Sequence, residues 1–159
     1  MDLSDGVYMT STNDIAEGRQ ATHVPFPAHS KYRVVTEGEV KKLVDLEKNA
    51  VAVLYSPGFG AGWSTWSSGK LAEYCTFDPE VAVVVMYNAN NKHPEVFSKW
   101  VEEKYEAMFS NEDGKGYFYS GGGDDLRVFW LPKGVRFEIE EYDGNESIRQ
   151  YDDVQFLRA

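Results

Sequence analysis

A chain of 159 residues, 42% of them hydrophobic, is long enough for one core of ordinary size and too apolar to be disordered throughout. Its 16 Lys+Arg against 26 Asp+Glu leave a net charge of -10, which repels phosphate backbones and disfavours direct nucleic-acid binding, and suits solubility or a basic protein partner. The longest apolar run, near Val81 to Met86, falls far short of the roughly 20 residues a membrane span requires, the start of the chain carries no secretory signal, and lone Cys75 excludes an intramolecular disulfide, so a reducing cytoplasm is expected.

Residues 1–30 mix Ser, Thr, Asp and Gly with His23, Pro25, Pro27 and His29, and show neither helical nor alternating periodicity. They read as an irregular N-terminal arm ahead of a single α+β domain over residues 31–159. Lys31 to Val35 is a candidate strand. Val40 to Glu47 fits a helix or a strand, and the strand is favoured because Glu47-Lys48-Asn49 returns it into Val51–Tyr55, an uninterrupted apolar run fit for a buried strand.

After that strand comes SPGFGAGWSTW, with glycine at Gly58, Gly60 and Gly62 and large rings at Phe59, Trp63 and Trp66. Such a loop is either a pocket wall or a tightly packed corner. Asp78-Pro79-Glu80 then supplies a capping carboxylate, a preset φ and a first-turn acid for a helix whose body is valine-rich. A second helix opens at Pro94 with Phe97, Trp100, Val101, Tyr105 and Met108 on one stripe, and ends at Asn111 to Gly116. Tyr117 to Tyr119 reads as a short strand closed by Gly121-Gly122-Gly123; strands over Leu126 to Trp130, Val135 to Ile139 and Asn145 to Tyr151 follow, the last two joined by Asp143-Gly144. The expected fold is therefore α+β, a mostly antiparallel sheet with a C-terminal β-meander and about two helices.

The glycine loop fails the phosphate-binding templates: Gly69-Lys70 is followed by Leu71, and Trp63 stands where a dinucleotide fingerprint needs glycine. G-x-S-x-G is absent around Ser56 and Ser64, and His23, His29 and His93 are spaced too widely to pair as zinc ligands, so no cofactor or metal is expected. Glycines, rings and acids together suggest a concave site for a small polar ligand, walled by Tyr55, Ser56, Trp63, Trp66 and Tyr119, with the backbone N–H groups of the two glycine loops, at Gly58, Gly60 and Gly62 and at Gly121 to Gly123, and the carboxylate of Asp124 in reach. The opposing reading is that the rings are core and the glycines are corners.

A two-residue turn at Asp143-Gly144 sets Ile139 opposite Ile148, Glu138 opposite Arg149 and Glu141 opposite Glu146. The like-charged pair lies past the core edge, or at a bulge, or else takes up a cation, a partner's Lys or Arg, or a ligand's donors together with Asp143. On the last reading, Glu146→Gln is expected to stabilise the free protein slightly while weakening binding.

The three motifs SPGFGAGWSTW, SGGGDDLRVFWLPKG and FEIEEYDGNES resemble those of an uncharacterised family of small proteins from tailed phages and prophages, over roughly Ala50 to Ile148. The resemblance implies a mobile-element protein working in a bacterial cytoplasm and supplies no activity. Three functions follow from these readings. The first is a binding protein that sequesters a small polar ligand or blocks a basic bacterial protein, such as a defence component. The second is an enzyme using Asp124, Asp125, Asp143 or Glu146 in acid/base roles. The third is a phage structural or interaction protein, and in each case oligomers are compatible with the chain.

Overall fold

The computed structural model describes residues 9–10, 23–24, 31–58, 62–109 and 118–151. Its centre is β5 (Ala50–Tyr55), buried from Ala50 to Leu54, as a strand without polar alternation must be when both of its faces are covered. Around it, β3 (Tyr32–Glu37), β4 (Val40–Asp45), β5 and β6 (Arg127–Pro132) form an antiparallel sheet in the order β3-β4-β5-β6. The Lys48 region turns as the sequence predicts. Asp45 Oδ1 accepts from the N–H groups of Glu47 and Lys48 at 3.0 Å each, and Asn49 supplies the left-handed residue at φ 52°.

Among the described residues four α-helices stand where about two were expected: α1 (Gly69–Phe77), α2 (Pro79–Met86), the single turn α3 (Ala89–Lys92) and α4 (Pro94–Phe109). The α2 start is the one read from sequence, with the Asp78 carboxylate accepting from Glu80 N and Val81 N. Along α4, Phe97, Val101 and Tyr105 are buried, Trp100 is half-buried, and Met108 at 41% exposure leaves the stripe. No helix among the described residues is long and apolar enough to cross a membrane.

The fold is α+β and antiparallel, with strands through the last third. Their pairing divides between two sheets. β6 runs against β5 from Tyr55↔Arg127 to Ala50↔Pro132, whereas β7 (Arg136–Tyr142) and β8 (Asn145–Tyr151) make a hairpin of their own in the expected register, Ile139↔Ile148 and Glu141↔Glu146 included. Phe118 and Tyr119 are not in a strand, and Tyr117 lies outside the described residues. Of residues 1–30, expected to be an irregular arm, only β1 (Met9–Thr10) and β2 (His23–Val24) are described, and they pair with each other.

Candidate functional site

The three motifs converge, and Glu146 joins them. Its carboxylate is 1% exposed and reaches from β8 into the glycine loop that follows β5. Oε1 accepts from Ser56 N at 2.9 Å; Oε2 accepts from Trp63 N at 2.9 Å, from Thr65 N at 3.0 Å and from the Thr65 hydroxyl. Glu146 N also donates to Ser56 O at 2.8 Å. Trp63 and Thr65 lie at the start of the 3₁₀ turn Ser64–Trp66, where N–H groups have no partner within the turn, so a residue from the far end of the chain serves as its cap.

The second glycine loop closes on the first. Ser56 Oγ donates to Gly122 O at 2.9 Å, Tyr119 N donates to Ser67 Oγ at 3.1 Å, and the rings of Trp66 and Tyr119 lie 5.0 Å apart. Asn90 on α3 holds this loop from below, its Nδ2 donating to Gly123 O at 2.8 Å and Leu126 O at 3.0 Å. Backbone approaches side chain closely in both loops: a Cβ on Gly62 would strike the Trp66 indole, one on Gly58 the Asp125 carboxylate, one on Gly121 the Tyr119 phenol and one on Gly123 the Phe97 ring.

Of the expected ligand walls, Ser56 and Trp63 are buried, and Tyr55, Trp66 and Tyr119 are half-buried. Trp63 has no exposed surface, donates from Nε1 to Cys75 O at 2.9 Å and lies between Phe97 and Phe118 at 6.3 and 5.1 Å. Tyr55 is half-buried, with its ring 6.5 Å from that of Phe129. Gly60 lies outside the described residues. Asp124 and Asp125 are exposed beside the second loop.

The carboxylates of the hairpin diverge instead of meeting. Glu146 points into the loop, exposed Glu141 folds back to accept from Gly144 N at 2.5 Å, and exposed Asp143 forms the turn at φ 51°. Among the described residues no three acids, histidines or cysteines gather as a metal would need. Glu146 also meets four internal donors, which reverses the sign expected of Glu146→Gln in the free protein.

Sequence reasoning missed Thr65, Ser67 and Asn90, none of which carries a local signal of its long-range bond; the second glycine loop was expected to offer N–H groups, whereas at Gly122 it is the carbonyl that is engaged, by Ser56 Oγ. Sequence reasoning also missed the hollows under the hairpin. One of about 300 Å³ lies between α1 (Ala72, Thr76, Phe77) and β7 (Phe137, Ile139), with exposed Glu73 at its rim. A second, of about 190 Å³, continues past Phe77 and Phe137 toward Lys42 and Lys133. At the hairpin's tip Tyr142 is 78% exposed.

The chain matches no protein family, curated protein or solved structure with which it was compared.

Proposed function

We propose that the chain is a small acidic binding protein, encoded by a phage or prophage and working in the bacterial cytoplasm, that blocks a basic host protein. Defence components are the first class of target to test. Of the two binding modes open to such a protein, capture of a small ligand needs free walls in the glycine loops. The observation that favours protein blocking is that the first loop's central ring and its N–H groups are already engaged internally: Trp63 is wholly buried, and Ser56, Trp63 and Thr65 donate to Glu146.

Among the described residues, the surface that suits recognition best is the β7–β8 hairpin, whose Tyr142 is the most exposed large ring. Between Val135 and Tyr151 it exposes four carboxylates, Glu138, Glu140, Glu141 and Asp143, against two arginines, and Tyr142 projects beside three of them. Exposed aromatic groups within one sign of charge suit a partner of the opposite sign, the charges steering the encounter and the ring supplying contact area.

The test is capture from a bacterial cytosol by the full chain, by Tyr142→Ala and by Glu140→Lys, run beside thermal shifts with nucleotides and common metabolites. A basic protein retained by the wild type, lost with either variant and released by salt supports blocking. A thermal shift with a metabolite and no tip-dependent protein would replace it with ligand capture.

A further inference from the structure

One face of α1 forms the floor of the larger hollow under the hairpin. Ala72 and Thr76 are four residues apart, as are Glu73 and Phe77, so the four side chains share that face of the helix. Across from them stand Phe137 and Ile139 of β7, with Ser64 and Thr65 of the 3₁₀ turn completing the lining of a space of about 300 Å³. Phe77 and Phe137 meet edge to face, 6.0 Å between ring centroids, and both also line the smaller hollow beyond.

The polar groups of the larger hollow are acceptors. Glu73 is the one ionisable side chain among its lining residues; it is exposed at the rim, and its carboxylate makes no ion pair or hydrogen bond with the described residues. Two of the three hydroxyls spend their protons inside the fold: Thr65 Oγ1 donates to Glu146, and Thr76 Oγ1, on a buried residue, donates to Ala72 O at 2.8 Å. Their oxygens can still accept but have nothing left to donate. The lysines of the neighbouring elements turn to other partners. Lys70, one turn earlier on α1, reaches Glu39 at 3.9 Å, and Lys42 lies over the Phe77 ring at 4.5 Å on the side of the smaller hollow and pairs with Glu37 at 2.9 Å.

We infer that the larger hollow binds a small aromatic amine in its cationic form, with the ring against Phe77, Phe137 and Ile139 and the ammonium at the rim toward Glu73 and the Thr76 oxygen. Three observations select this class. A volume at the floor for small-molecule sites admits one ring and a short chain, and a wall of two crossed rings and an isoleucine suits an aromatic body. Acceptors without fixed donors, beside a carboxylate that has no partner of its own, call for a group that donates and carries positive charge. Lys42 and Lys133 in the smaller hollow repel that charge, which sets the orientation, and the chain's net charge of -10 disfavours an anion of the same shape. The site lies outside the glycine loops, and the inference does not depend on the blocking role.

The test titrates the full chain with 2-phenylethylamine, 2-phenylethanol and 3-phenylpropionate, three molecules of nearly one shape and different charge, and follows amide and methyl shifts by NMR. The amine should bind saturably and about two- to fivefold tighter than the alcohol at low salt, as one exposed ion pair allows, and the carboxylate more weakly than either. Added salt should shrink the difference between amine and alcohol. Glu73→Gln should erase that difference while leaving the alcohol's affinity as it was. Ala72→Phe, which fills the hollow, should abolish binding of all three, and in the wild type the amine's ring protons should show Overhauser contacts to the Ala72 and Ile139 methyls, a readout that does not depend on how the variant folds. No saturation by about 10 mM amine overturns the inference, as does an alcohol or carboxylate that binds as tightly. An amine preference that survives Glu73→Gln, or contacts to other methyls only, overturns it as well. A capped lysine that binds tighter than the arylamine would assign the hollow to a side chain of a protein partner, and that too overturns it.

Discussion

At Glu146 the carboxylate oxygens are asymmetric, one accepting a single N–H and the other two N–H groups and a hydroxyl. A carboxamide keeps the shape but has one acceptor only, so its NH2 must face Ser56 N–H or the three donors on the other side. Glu146→Gln should therefore lose about 2–4 kcal/mol of stability. The check is a urea titration in which the midpoint falls with little change in slope. A midpoint at or above that of the wild type would show that the carboxylate is not what holds the loop. Thr65→Val removes only the hydroxyl and keeps the Thr65 N–H, so its loss should be smaller, about 1 kcal/mol.

Among the elements, α4 was the most legible, because apolar residues at helical spacing name a face whatever that face meets. Spacing does not say where the facing elements end, which is why Trp100 is half-buried and Met108 exposed on a stripe whose Phe97, Val101 and Tyr105 are buried. Phe97→Ala should accordingly cost about 3–5 kcal/mol and Trp100→Ala about 1–2 kcal/mol, the reverse of the order that ring size suggests. Denaturant midpoints of the two variants decide it, and a larger loss for Trp100→Ala would mean that the helix is rotated. The hairpin register was legible for a similar reason, since Asp143-Gly144 fixes it locally. β6 shows the limit of such reasoning: the apolar run of β5 announces a central strand needing two neighbours, but nothing near Val51 names Leu131 as its partner. Likewise, facing Glu141 with Glu146 followed from the turn, whereas the donors that bury Glu146 come from residues 56–65, far away in sequence.

Across the whole molecule, the glycine loop and the hairpin are tied to a titratable cluster between α1, α2 and α4. Lys104 reaches Glu80 at 2.7 Å and Asp78 at 3.5 Å, and the Tyr105 hydroxyl donates to Asp78 Oδ2 at 2.8 Å. Burial, with Asp78 adding to it, pushes the Tyr74 and Tyr105 phenols and the Cys75 thiol up. For Lys104, burial works to lower the ammonium, but Asp78 and Glu80 beside it prevail and raise it. All four groups thus hold their protons to higher pH in the fold than in the unfolded chain. Their contribution is complete below the unfolded values, about 8.5 for the thiol and about 10 for the phenols and the ammonium, and is lost as pH rises through and beyond them. The melting temperature should then be flat from neutrality to about pH 8.5 and fall steeply above about pH 9 to 10. Because Cys75 O accepts from the Trp63 indole and Trp63 N donates to Glu146, loss of the cluster should release loop and hairpin together. Tyrosinate absorbance from the two buried phenols, tryptophan fluorescence and circular dichroism should therefore change in one coincident alkaline transition. Phenolate formation completed before the fluorescence change, or a melting temperature still flat at pH 11 or so, would mean that these protons are not coupled to the fold.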